Sequence, residues 1–237
     1  MRGLTKGLPP IDVSPPGQVP RSLAAADAAY QLSRLTAADP VAHARSAFDS
    51  MHKRYLRDLL FVEQRYLCVY CEREIDEGHP PPPVDHWNPL SLYLHEVFDW
   101  NNLHLSCRGL DTCDDRKNSV ALNLPWPATF QYEDVLGFTS GGRLYVRTDV
   151  PVPPPVRQAL EIALEDQSGP PIARSSLNLN HPALCKAREA VIETELEAPL
   201  TPAQRQRRVA DLLALVRRAE FISARLAALN GQLGAGR

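Results

Sequence analysis

Apolar positions along the chain recur mainly at three- and four-residue spacing, and two-residue alternation is confined to a few short stretches. That pattern predicts an α+β fold, mostly helical, with a small ββα module in its middle. An Ala-rich helix is expected over residues 22–35. Asp39-Pro40 suits an N-cap and first helical position. Phe48, Met51, Tyr55, Leu59 and Val62 then predict one amphipathic helix running into Cys68, with these positions facing the core. After the rigid run Pro80 to Pro83, residues 84–87 read as a strand and Leu103-His104-Leu105 as a second. A helix is expected from Cys113. Gly141-Gly142, between Phe138 and Leu144-Tyr145-Val146, reads as a hairpin turn.

Further on, residues 154–164 predict a helix, broken by Gly169-Pro170-Pro171. His181-Pro182 leads a helix to about Glu197. Thr201-Pro202 starts a long last helix reaching Asn230, with Val209, Leu212, Leu213 and Val216 as its buried stripe. Residues 231–237 are expected to fray. Residues 1–20 carry five prolines and read as an extended arm. The expected organisation is therefore an arm over 1–20, helices over 21–67, a module over 68–130, and a hairpin with helices over 131–237. Residues 21–237 are expected to share one domain.

At 237 residues, 44% of them hydrophobic, the chain can bury a sizeable core. No run of eighteen apolar residues occurs and the N-terminus has no signal-like apolar stretch, so a cytoplasmic protein is expected. In that reducing setting, closely spaced cysteines favour metal over disulfides. The net charge of −2 hides a segregation: residues 61–130 hold five Lys/Arg against eleven Asp/Glu, whereas residues 201–237 hold seven Arg against two acids. An acidic centre repels polyphosphate, so attraction to nucleic acid has to come from bound cations, flanking helices or a partner. The C-terminal arginines fit that role, and fit equally a solvated helix face.

Four of the five cysteines form two pairs, Cys68/Cys71 and Cys107/Cys113. Two pairs from separated segments supply the four soft ligands of a tetrahedral structural Zn²⁺. His79, His95 or His104 could replace one cysteine, and separate buried thiols are the alternative. Cys185 stands alone and reads as a helix residue without chemistry. His86, with an imidazole near its ordinary pKa, can accept a proton from water. Asp85 would point to the other side of an extended strand. Asp114 and Asn118 lie four residues apart at a helix start and can face one ion, whose oxygen ligands favour Mg²⁺ or Mn²⁺. Lys117 either touches a phosphate or lies on the helix surface. Trp87, Trp100 and Trp126 read as core aromatics.

Cys68-Val-Tyr-Cys71, Asp85-His86-Trp-Asn-Pro89, Asn102-Leu103, Cys107 and Cys113-Asp114 with Lys117 occur in an order that resembles the HNH nucleases with a treble-clef-like zinc site. The second pair encloses five residues where the common pattern has two. CVYCE, DHW, WNNL, SC followed by CD and a Lys, and a later LNLN resemble more closely the HNH subunits of Septu anti-phage systems, the PtuB group. These motifs cover about a fifth of the chain. The resemblance implies a ββα-metal module and hydrolysis of phosphodiester bonds, of DNA before RNA. It implies that Asp85 holds the catalytic metal, that His86 faces the attacking water, and that Asn102 holds the loop and the His86 ring. It also implies an ATPase partner subunit of the PtuA type. A zinc-knit adaptor that binds nucleic acid or protein without cutting, and a stand-alone restriction-type nuclease, are the competing expectations.

Overall fold

Asp39 begins a helix by local chemistry: its carboxylate accepts hydrogen bonds from the backbone N–H of Val41 and Ala42 at 3.1 and 3.0 Å, and Pro40 takes the first helical position. In the computed structural model, which describes residues 21–78, 80–109, 111–165, 177–197, 199–215 and 218–234, this helix is the second of a mixed α+β arrangement. In chain order the elements are α1 (Arg21–Ser33), α2 (Pro40–Ser50), α3 (Lys53–Glu63), β1 (Val84–His86), β2 (Leu103–Leu105) and α4 (Cys113–Lys117). They continue with α5 (Tyr132–Val135), β3 (Leu136–Thr139), β4 (Leu144–Val146), α6 (Pro154–Leu164), α7 (Pro182–Leu196), α8 (Pro202–Ala214), α9 (Ile222–Leu229) and β5 (Leu233–Gly234). The expected arm over residues 1–20 and the Gly-Pro-Pro break lie outside the described residues.

The helix expected to run unbroken to Cys68 is two. Met51 is extended (φ −69°, ψ 138°) and ends α2, and α3 starts after His52. The break resets which face points inward. Leu56, Leu59 and Leu60 are buried, whereas Tyr55 and Val62, expected in the core, are 41% and 52% exposed. An unbroken helix would leave aliphatic Leu56 and Leu60 in water, a loss of apolar burial that the kink avoids.

The last helix is also interrupted. Thr201 and Gln204 form the reciprocal cap that starts α8. Phe221 then adopts a left-handed conformation (φ 51°), and α9 begins after it. Leu212 is buried and Val209 partly so, but Leu213 is 38% exposed; Val216 lies outside the described residues. The C-terminal tail does not simply fray: Leu233 and Gly234 pair in parallel with Phe138 and Thr139. Gly234 suits that strand because a Cβ there would fall 2.5 Å from the Tyr145 hydroxyl.

Two small sheets result, β1-β2 and β4-β3-β5. The hairpin joining β3 to β4 turns at Gly142 (φ +70°), where a Cβ would sit 2.1 Å from the Cys185 carbonyl on α7. Buried Arg188 of α7 reaches back and donates to the Gly142 carbonyl at 3.0 Å and to Leu179 O at 2.6 Å. The Leu177-Asn178-Leu179-Asn180 stretch acts as a clasp. Asn180 exchanges two hydrogen bonds with the backbone of Leu144, and Asn178 donates to Asp111 O at 3.1 Å. Its two leucines are fully buried, so the stretch ties the hairpin to the loop that carries the last cysteine pair. Of the tryptophans, Trp87 and Trp100 are buried and Trp126 packs at the core margin.

Candidate metal centre and adjoining cleft

The turn that presents the first cysteine pair follows from how α3 ends. Arg65 and Tyr66 take left-handed backbone angles (φ 51° and 63°) and reverse the chain. Cys68 N–H then bonds Arg73 O at 2.8 Å, and Val69 N–H bonds Leu105 O at 3.2 Å, fixing the turn against the end of β2. Gln64 reinforces this: its amide donates to Leu67 O and Leu105 O and accepts from Leu105 N. Glu72, in the same turn, accepts from the backbone N–H and hydroxyl of Ser223 at 2.9 and 2.6 Å. A buried carboxylate thus caps the first turn of α9, where helix-dipole and hydrogen-bond terms favour negative charge.

Cys107 follows β2, and Cys113 opens α4 with its N–H bonded to Leu177 O at 2.9 Å. The four thiols are buried, all within 4.8 Å of one another, with Cys71 Sγ and Cys107 Sγ 3.6 Å apart. Tetrahedral zinc–thiolate geometry sets sulfur pairs about 3.8 Å apart, so the cluster can hold Zn²⁺. Electrostatics agrees with the donor set. Burial opposes charge on Cys68, yet the neighbouring thiols of Cys107, Cys113 and Cys71 hydrogen-bond to it and hold its pKa well below the ordinary value. Cys113 is pushed well up by burial and by those same bonds. Four thiolates cannot share this space without a cation, and metal binding would release the remaining protons. His95 and His104 are not part of the cluster among the described residues, and His79 lies outside them. Cys185 lies on α7, its thiol donating to Asn180 O.

β1 and β2 lie between the two cysteine pairs in the chain, and α4 opens on Cys113. The strands pair antiparallel with Asp85 opposite His104 and His86 opposite Leu103. Asp85 and His86 point to different partners, as alternation along a strand requires. Asp85 Oδ2 accepts from Tyr70 Oη at 2.5 Å, and Asp85 Oδ1 lies 3.1 Å from Lys117 Nζ. His86 Nε2 sits 2.9 Å from Val97 O. A carbonyl only accepts, so Nε2 carries the proton and Nδ1 keeps the lone pair. Phe48 packs against the ring at 4.5 Å, edge to face. Burial holds the His86 pKa down at about 4, so the imidazole is neutral at physiological pH.

Asp114 is pushed up to about 7, first by burial and then by the charge of Asp85 beside it. Asn118 ends α4 in an unusual backbone conformation (φ 50°, ψ −122°), its N–H on Asp114 O. Asp85, His86, Asp114 and Asn118 line one cleft of about 470 Å³. Two adjacent carboxyls and a neutral imidazole at an open cleft can hold a divalent cation and take a proton from water.

Asn102 lies behind the cleft, fully buried. It accepts from Asn88 N at 2.7 Å and donates to Asn88 O and Glu96 O at 3.1 Å, bracing the loop between β1 and β2. The imidazole itself is held by Val97, next to Glu96 in that loop. Lys117 is placed inward, fully buried, its ammonium shared between Asp85 and the His86 carbonyl at 2.6 Å. Tyr70, Gln64 and Glu72 carry much of the site and were not singled out by sequence reasoning. Their proximity to the cysteine pair was the available signal.

Architecture and site together define an α+β protein with four buried, clustered cysteines able to hold a metal ion and an acidic, histidine-bearing cleft. No protein-family model matches the chain. It is similar to Septu protein PtuB of Bacillus thuringiensis, 33% identical over 67 residues. The match takes in 28% of this chain and spans only a quarter (25%) of that relative's length.

Proposed function

We propose that the chain is a metal-dependent HNH endonuclease that hydrolyses phosphodiester bonds of DNA, and that it serves in the cytoplasm as the nuclease subunit of a two-component anti-phage defence system. The observation that carries this reading is the gathering of Asp85, His86, Asp114 and Asn118 at one cleft, on a strand–strand–helix unit packed beside four clustered thiols. Similarity to Septu protein PtuB supports the defence setting and, with it, control by an ATPase subunit of the PtuA type.

In this reading Cys68, Cys71, Cys107 and Cys113 hold a structural Zn²⁺ that pins the ends of the unit. Asp85, Asp114 and Asn118 would hold Mg²⁺ or Mn²⁺, which supplies charge neutralisation at the phosphate and at the leaving oxygen. His86 acts as general base: the bond from Nε2–H to Val97 O leaves Nδ1 as the proton acceptor. Asn102 keeps that carbonyl in place through the loop it braces, and Tyr70 and Lys117 orient Asp85. Lys117 is thereby a positioning residue, its charge directed inward and away from a phosphate.

The test is incubation of the chain, alone and co-purified with an ATPase subunit of the PtuA type, with plasmid DNA and with RNA in the presence of Mg²⁺ or Mn²⁺. Nicking or linearisation of DNA that stops on chelation is expected. Intact plasmid in every arm, with binding retained, would favour the non-cutting adaptor.

A further inference from the structure

The acidic motif cannot attract a polyanion, yet two basic residues from outside it line the same cleft. Arg45 of α2 and Lys53 of α3 line it together with Asp85 and His86. Both lie outside the motif-bearing stretch, on the two helices separated by the break at Met51. Arg45 is exposed and makes no ion pair among the described residues. Lys53 is held in place from two directions. Its ammonium stands 4.2 Å above the Phe48 ring, the ring that packs against His86, and 2.8 Å from Asp49 Oδ1. One aromatic ring therefore separates a fixed ammonium from the imidazole, and the field of Lys53 is felt at His86.

Its pairing with Asp49 does not consume that charge. Asp49 is 75% exposed, and exposed pairs of this kind are weak and solvent-screened. A phosphate entering the cleft offers a doubly accepting oxyanion in place of one carboxylate oxygen, and is met by the guanidinium of Arg45, which is unpaired among the described residues. Arg45 and Lys53 can thus counter the repulsion from Asp49, Asp85, Asp114 and Asp115, which line the same cleft. The kink at Met51 matters here, because it turns α3 so that Lys53 reaches the cleft while Leu56 and Leu60 stay in the core.

We propose that Arg45 and Lys53 form a backbone-phosphate clamp that seats a DNA strand beside His86. The inference rests on the nuclease reading above and adds to it the residues that bind the substrate. The unit supplies the chemistry, and α2 and α3 supply the electrostatic attraction that the acidic motif lacks.

The test uses the full chain, a short fluorescein-labelled DNA duplex, and Ca²⁺ in place of Mg²⁺ during anisotropy titrations at several salt concentrations. Arg45→Gln combined with Lys53→Gln is expected to bind about tenfold more weakly or worse. Each lost phosphate contact should flatten the slope of log K against log salt by about 0.9 on duplex DNA. A duplex with methylphosphonate linkages should weaken binding by the wild type but not by the double variant. Unchanged thermal melting keeps these losses from being read as unfolding. If the wild type binds and cuts and the double variant matches it in affinity, salt slope and sensitivity to methylphosphonate, the clamp is wrong and the nuclease reading stands. If the wild type neither binds nor cuts DNA with its partner present, the nuclease reading fails and the clamp with it.

Discussion

Lys117 Nζ lies 3.1 Å from Asp85 Oδ1, with the lysine fully buried and the aspartate nearly so. A lysine near the end of a five-residue helix would ordinarily reach into solvent; here it folds inward across the end of β1. The pair places a permanent positive charge beside the carboxylate proposed to hold the divalent cation. Removing one member of a buried pair leaves the other uncompensated, which typically costs about 3–5 kcal/mol. Lys117→Met should therefore melt well below the wild type in the absence of divalent ions. Added Mn²⁺ should recover part of the loss, because a cation at Asp85 takes over the role of the ammonium. An identical deficit with and without Mn²⁺ would argue against a cation site there.

Elemental analysis of protein purified without added metal should find one zinc per chain. Cys71→Ser should lose it and aggregate. The damage should spread beyond the cysteine turn, since Glu72 in that turn caps α9 through Ser223. Protease protection of α9 is the measurement, and protection that survives loss of the metal would show that the turn holds its shape without zinc.

His86→Ala should lower cleavage by about 10²–10⁴-fold, the usual range for a lost general base, while leaving zinc content and fold unchanged. Asp85→Ala and Asp114→Ala should also impair cleavage, but raised Mn²⁺ should restore some of it, because a ligand is missing rather than a base. Undiminished cutting by His86→Ala would falsify the assignment.

The acid limb of the cleavage profile should belong to Asp114, at about 7, and not to His86, at about 4. Protons and metal compete for Asp114, so raising Mg²⁺ should move that limb to lower pH. The stability of the metal-free chain has a matching signature. Asp114, with its pKa raised on folding from 3.8 to about 7, makes stability fall as pH rises through that window. His86, with its pKa lowered from 6.5 to about 4, makes stability rise with pH over its own window, so the two oppose each other below pH 6.5. A limb that stays at one pH at every Mg²⁺ concentration would remove Asp114 from the ligand set.

If the proposed partner is right, co-expression with an ATPase subunit of the PtuA type should give a complex that elutes earlier from a sizing column than the chain alone. If the basic stretch over residues 201–230 and the Pro-rich residues 1–20 dock that partner, deleting 1–20 should weaken co-elution. A full-length chain that elutes alone and cuts DNA at physiological salt would return the protein to the stand-alone class.

What could be read from the sequence alone was whatever depends on near neighbours in the chain. Asp39-Pro40 and Thr201-Pro202 start helices because a cap needs only the next three N–H groups, and both appear as expected. The two cysteine pairs and the Asp85-His86 step were legible because each pair is brought together by its own turn or strand. The tertiary structure decided the rest. It broke the helix at Met51, because the continuous register would have exposed the wrong apolar face, and it interrupted the last helix before the left-handed Phe221. It gave Tyr70 to Asp85, Gln64 to Leu105, Asn178 to Asp111 and Glu72 to Ser223, partners up to 151 residues apart. A buried polar group is stable only when its partner is present. That partner comes from a distant segment, so neither periodicity nor spacing could reveal that Lys117 turns inward while Arg45 and Lys53 face the cleft.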